Sequence, residues 1–172
     1  MSQWGSPILG LLTVIPINEW LITQLMPSYW IVAVNETNFR HIIEHGIYGC
    51  GERMCNKMIN KVRPGDVLLV YVNKSGCSKY CGVFAAALEV ISDWFNAKKP
   101  QFPDEVAEGT LKYTKLIRVK TIVIGSVKPE EIADELEIFR GRKRPWISLY
   151  YYTMKSIPQK DAQIIINKLK GL

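Results

Sequence analysis

Charge is nearly missing from the first 35 residues, which carry Glu19 and no other Asp, Glu, Lys, Arg or His. All 22 Lys and Arg therefore lie from Arg40 onward. Long apolar runs are missing as well. The stretch 7–17 is interrupted by Pro7 and Pro16, whereas a helix needs about 20 apolar residues to cross a bilayer. No membrane partner is expected. The same stretch has no basic n-region and no small-residue cleavage site, so a signal peptide is not expected either, and the expected location is cytoplasmic. In that compartment the four cysteines, Cys50, Cys55, Cys77 and Cys81, are expected as reduced thiols. Closure of Cys77 on Cys81 across a hairpin tip is expected only in an oxidising or hyperthermophilic setting.

Histidine is scarce, with His41 and His45 alone. They stand four residues apart, and Cys50 and Cys55 follow, so zinc-capable side chains are near one another in sequence. The helix that carries the histidines turns Phe39, Ile42 and Ile43 toward a core, which places both histidines on the opposite, wet face. No metal and no other cofactor is expected. Catalytic signatures are missing too. There is no Ser, His and Asp constellation in a motif context, and Gly49-Cys50-Gly51 lacks the rest of a dinucleotide fingerprint. No internal repeat or low-complexity tract is present.

What the chain has is a patterned region of ample apolar content. Of 172 residues 48% are apolar, the formal charge is +6 and the pI about 9.1, so an anionic partner fits. Residues 1–28 read as an uncharged, proline-interrupted extension. Either this is an arm packed on the domain, or translation starts at Met26. Residues 29–172 read as one domain.

Residues 29–34 form a β-branched strand. Residues 35–46 follow as a helix that ends at Gly46, a residue suited to the left-handed C′ position. A short strand or turn holds Cys50 between glycines, and residues 53–61 suit a second helix. Arg63-Pro64-Gly65-Asp66 makes a tight turn into strand 67–72. The polar tip 73–79 leads to a strand over 81–91, and a long loop over 92–109 follows. Residues 112–124 alternate as a strand. Pro129 opens a short acidic helix, and Gly141 lies in a basic loop. Residues 146–152 read as a last strand or turn. Residues 159–170 form an amphipathic helix with Ala162, Ile165, Ile166 and Leu169 inward. About five or six strands interleave irregularly with three or four short helices, which favours an α+β barrel over a doubly wound sheet.

Tyr-Trp-Ile-Val (29–32) with Asn35, Gly-Ile-Tyr-Gly (46–49), Lys-Val-Arg-Pro-Gly-Asp (61–66), Val-Tyr-Val (70–72) and the stretch 146–158 resemble the EVE family of the PUA-like superfold. The likeness runs over residues 27–172 in the family's order. Through Cys81-Gly82-Val83 and the turn after the first helix the chain also looks like a distant cousin of YTH domains. The resemblance implies a small mixed β-barrel with a pocket for a nucleobase, often a modified one. Some relatives recognise N6-methyladenosine in RNA, others modified cytosine in DNA. It implies a base pocket from Asn35, Tyr48, Gly49, Cys50, Trp94 and Trp146. Asn35 ends the first strand. Tyr48 stands where the family usually has a tryptophan wall, Gly49 and Cys50 stand where backbone approaches the base edge, and Trp94 lies in the loop that supplies a second wall in YTH relatives.

An aromatic pair holds a flat base by stacking, at about 1–3 kcal/mol per base. Polar groups must then satisfy its buried edge. Arg53 and Lys57, with Lys61 and Arg63 beyond, and the triplet Arg142, Lys143 and Arg144 supply cations for phosphates. Beside this stands the plainer reading, in which the aromatics are core or rim and the cations a solvated face. The expected function is a nucleic-acid-binding module for RNA or DNA that captures a modified base, and not an enzyme. A PUA-like enzyme acting on a nucleotide is the alternative, although the Gly-x-Lys-x-x-Glu-x-Arg signature of ASCH domains is absent. A small-molecule or protein-binding scaffold is a third. Oligomeric state is not legible.

Overall fold

Strand β1 (Tyr29–Val34) runs parallel to β3 (Val67–Val72) on one side and antiparallel to β7 (Lys155–Ile157) on the other. The computed structural model describes residues 26–151 and 154–172. The extension expected over residues 1–28 lies almost wholly outside the described residues.

Outward from β3 come β4 (Val83–Val90) and β6 (Lys115–Val127), each antiparallel to its neighbour. Strand β2 (Ile47–Cys50) pairs with β6, giving the order β2-β6-β4-β3-β1-β7, and β5 (Phe95–Asn96) also pairs with β6. The described residues thus form one mixed, curled sheet with short helices, the α+β barrel architecture expected. The parallel β1–β3 pair needs a crossover. It is made by α1 (Glu36–His45), β2 and α2 (Glu52–Met58).

Side chains of β1 and β3 alternate between two cores, as the period of a strand requires. Trp30, Val32, Leu68, Val70 and Val72 join Phe39 and Ile42 of α1 in one. Tyr29, Ile31, Val67, Leu69 and Tyr71 face the other with Ile132 of α4 (Pro129–Ile132), under α5 (Gln159–Leu169), whose Ala162, Ile165, Ile166 and Leu169 are buried as read. With both faces covered, every residue of β3 is buried, which is why its sequence is a continuous apolar run. The buried Asp66 carboxylate joins the starts of both strands. It accepts the Ser28 N–H at 2.9 Å, the Arg63 N–H at 3.0 Å and the Trp30 indole N–H at 3.3 Å.

Asn35 is the N-cap of α1, and its Oδ1 accepts the Asn38 N–H at 2.8 Å. Gly46 caps the other end at φ 64, the left-handed conformation anticipated.

Four expectations are corrected. First, the stretch 92–109 is not one loop: it holds β5 and α3 (Pro103–Glu108). Second, the segment from Trp146 is a 3-10 helix, Pro145–Tyr151, and the last strand is β7. Third, the cysteines are paired, Cys50 with Cys55 and Cys77 with Cys81, at Cα separations of 5.7 and 5.4 Å, both within the usual span of a disulfide. Fourth, His41 is half-buried rather than wet. The segment before α3 folds over this face of α1, and the imidazole packs on Phe102 with ring centroids 4.9 Å apart. Burial, and then His45 beside it, lowers its pKa.

Candidate base pocket

A cavity of about 230 Å³ lies where α1, β2 and the segment 101–113 converge at the carboxyl end of β1. Pockets for drug-sized ligands hold roughly 300–1,000 Å³, so this one suits a single small planar group. Tyr48, Phe102 and Tyr113 line it, with Ile42 and Met54, and Asn35, Asn38 and Asn73 are its amides.

One buried carboxylate fixes the outer wall. Glu105 has no solvent exposure. Its Oε1 accepts the backbone N–H of Tyr113 at 2.7 Å and of Lys112 at 2.8 Å, and its Oε2 accepts those of Gln101 at 3.0 Å and Phe102 at 3.1 Å. Burial opposes the charge, but these backbone donors outweigh it and hold the pKa below the ordinary value. Both ends of the 101–113 segment are thereby tied to one side chain. Phe102 and Tyr113 meet edge to face at 4.8 Å. Gly49 lets them come close, because a Cβ there would stand 2.8 Å from Phe102 and 2.9 Å from Tyr113.

The polar wall is a relay. Tyr113 donates its hydroxyl hydrogen to Asp104 Oδ2 at 2.8 Å, and its oxygen accepts from Asn38 Nδ2 at 3.0 Å. Burial, then Asp104, pushes the Tyr113 pKa up, so this donor stays protonated. With the phenol's hydrogen spent on Asp104, the Asn38 amide turns its nitrogen to the phenol. Its Oδ1 is buried and has no partner among the described residues. An acceptor left this way costs roughly 1–3 kcal/mol.

Of the residues expected in the pocket, Asn35, Tyr48, Gly49 and Cys50 line this cavity together. Asn35 does so with its oxygen already committed to Asn38 and Thr37, and Cys50 with its sulfur bonded to Cys55. Tyr48 is 4% exposed and belongs to the core as well, and burial raises its pKa. Trp94 packs against that core with its indole N–H buried, and it does not line the cavity. Trp146 lines a different cavity, with Arg144. Arg53 and Lys57 flank a groove that shares Gly51 and Met54 with the cavity lined by Tyr48. Arg142, Lys143 and Arg144 are exposed. Among the described residues no group of three or more His, Cys, Asp or Glu is placed to hold a metal.

Sequence reasoning missed Asn38, Phe102, Asp104 and Tyr113. The one available signal was Phe102-Pro103-Asp104-Glu105, a proline at a helix start with a carboxylate able to reach back to the preceding N–H.

A family model for the EVE domain matches residues 28–168. A UPF0310 protein of Saccharolobus solfataricus is 27% identical over 146 residues, covering 83% of this chain and 95% of that protein. Among solved structures, the YTH domain of Zygosaccharomyces rouxii MRB1 in complex with N6-methyladenosine RNA superposes with a TM-score of 0.58 at 15% identity, covering 84% of this chain and 87% of that one. The Pho92 YTH domain in complex with m6A gives 0.55 at 17%, with 84% of each chain covered. The Mmi1 YTH domain complexed with RNA gives 0.59 at 12%, with 85% and 79% covered. At these identities the likeness is one of fold.

Proposed function

The chain belongs to the EVE domain family, and on that premise we propose that it is a nucleic-acid-binding module that takes one modified nucleobase into the cavity beside Asn38. The observation that carries the reading is the relay from Asp104 through Tyr113 to Asn38. It leaves a buried acceptor aligned by its neighbours, at a cavity of one-base size with aromatic walls. A base with an exocyclic amine, such as N6-methyladenine or a modified cytosine, offers the donor. Its methyl group finds apolar surface at Phe102 and Met54. The complexes of the related YTH folds, with RNA and with m6A, are those of binding domains and support the same class of ligand.

Affinity for the phosphate backbone falls to the cations. Arg53 and Lys57 line the groove that shares Gly51 and Met54 with the cavity, where they neutralise phosphates flanking an inserted base.

The test is a set of affinities for matched single-stranded RNA and DNA oligonucleotides, unmodified or carrying one N6-methyladenine or one 5-methylcytosine. A preference for one methylated form in the wild type, with Asn38→Ala weakening capture of that base while residual binding persists, is the expected result. Equal affinity for all forms in the wild type overturns the reading.

A further inference from the structure

The wall of the cavity beside Asn38 contains a bond that a two-electron reductant can open. Cys50 of β2 lines that cavity, and its sulfur is bonded to Cys55 of α2. Cys50 is 4% exposed and Cys55 has no exposure.

The same bond anchors α2. Of the seven residues of this helix only Cys55 is buried, and Gly51 at its N-cap has no side chain to hold the first turn. A helix this short is marginal on its own in water, so α2 depends on its attachments. Met58 packs half-buried against the core around Phe39, and Cys55 is tied covalently to β2. Three residues of the candidate site ride on α2. Met54 lines the cavity, and Arg53 and Lys57 line the groove that shares Met54 with it.

The other disulfide, Cys77–Cys81, is placed differently. Cys81, Ser78 and Lys79 are exposed, and neither cysteine lines the cavity. Its loop is also held to α1 by Glu36, through the Ser78 and Lys79 N–H groups. It serves as an internal reference for the first.

We propose that Cys50–Cys55 is a redox-active site coupled to base capture; this rests on the base-pocket reading above. A dithiol reductant reaches the bond through the cavity, and an occupying base shields it. A thiolate of the dithiol attacks Cys50 Sγ, and the Cys55 sulfur leaves as a thiolate and takes up a proton. The second thiolate of the reductant then displaces Cys50 and closes its own disulfide. Two electrons and two protons pass to the protein, and the dithiol is oxidised to a disulfide. With the bond open, α2 loses its covalent hold, and Met54, Arg53 and Lys57 loosen together. The coupling is reciprocal: the factor by which a bound base favours the closed bond is the factor by which the closed bond favours the base.

The experiment uses the full chain, dithiothreitol as the dithiol, and single-stranded oligonucleotides carrying N6-methyladenine or 5-methylcytosine. Alkylation and mass spectrometry of the cysteine peptides follow each bond. Cys77–Cys81 is expected to open at one rate with or without oligonucleotide. Cys50–Cys55 is expected to open more slowly when the preferred oligonucleotide is bound. The reduced protein is expected to bind that oligonucleotide about tenfold more weakly, inside the usual span of couplings between sites. Hydrogen exchange locates the loosening, with amides of residues 52–58 exchanging faster on reduction while the sheet keeps its protection. Cys50→Ser with Cys55→Ser reproduces the reduced affinity, whereas Cys77→Ser with Cys81→Ser binds as the oxidised wild type does. Equal affinity of the oxidised and reduced wild type overturns the coupling, and so does loss of the whole fold on reduction. If no oligonucleotide binds in either state, the base-pocket reading falls. Faster exchange confined to residues 52–58 then still upholds the redox-active site, and unchanged exchange there overturns it.

Discussion

Phe102 lies so close to Gly49 that a methyl group on the glycine would stand 2.8 Å from the phenylalanine ring. The glycine is there for the approach of two aromatic walls, and its backbone needs no left-handed conformation. Gly49→Ala is expected to destabilise the fold by about 1–3 kcal/mol, the usual cost of overpacking, and to narrow the cavity. Chemical denaturation reads the first effect and nucleoside affinity the second.

Tyr113→Phe breaks the relay without changing the ring. Asp104 loses a donor and the Asn38 amide loses its acceptor, at a stability cost of about 0.5–1.5 kcal/mol for a hydrogen bond. The amide is then free to rotate. Affinity for the captured base is expected to drop, while the slope of log K on log salt stays as in the wild type, since no cation has changed. A shifted salt slope contradicts this assignment.

Tyr48 stands where the family resemblance puts a stacking wall, and it is also part of the core. At 4% exposure, Tyr48→Ala leaves a hole in the core, at about 3–5 kcal/mol for a large aromatic. Tyr48→Phe keeps the ring and is the informative variant. Thermal melts of the two are expected to differ widely.

The pH dependence has a defined sign at Glu36. Its carboxylate accepts the N–H groups of Ser78 and Lys79, binding the Cys77–Cys81 loop to α1. The Ser78 bond, joined by those of Arg40 and Lys79, outweighs burial and lowers the pKa from 4.5 to about 2. A depressed folded-state pKa adds stability that is complete above the unfolded value and is lost as pH falls through the folded one. The stability gap between wild type and Glu36→Gln should therefore be full above pH 4.5 and close toward pH 2. Urea midpoints across that range measure it.

Replacing Arg142, Lys143 and Arg144 together by Ala should weaken binding to all sequences and flatten the salt dependence, because fewer counterions are released. An unchanged slope removes this loop from the interface.

The legible parts of the molecule were those written as local patterns. Asn35 and Gly46 mark both ends of α1, and the stripe of α5 is regular. Of the candidate site, Asn35, Tyr48, Gly49 and Cys50 were legible because they stand close in sequence, and they line one cavity. The rest hangs on Glu105. Next to Asp104 and near Glu108 it reads as one more solvated acid, and its four backbone partners at 101, 102, 112 and 113 have no periodic signature. Trp146 was misplaced for a similar reason. Its segment is a 3-10 helix packed against the second core, and the side chain lines a different cavity. Lys-Ser-Ile of β7 is too short and polar to read as a strand.

Strand β7 also sets an order of events. It hydrogen-bonds to β1, the earliest strand described, so one flank of β1 waits for the far end of the chain. During synthesis, β1 can gain its β3 partner while β7 is still inside the ribosome. The two disulfides, by contrast, close over separations of five and four residues and make no such demand. Pairings this distant in sequence slow folding, and a nascent chain leaves the bare edge of β1 open to foreign strands until the C-terminal segment emerges.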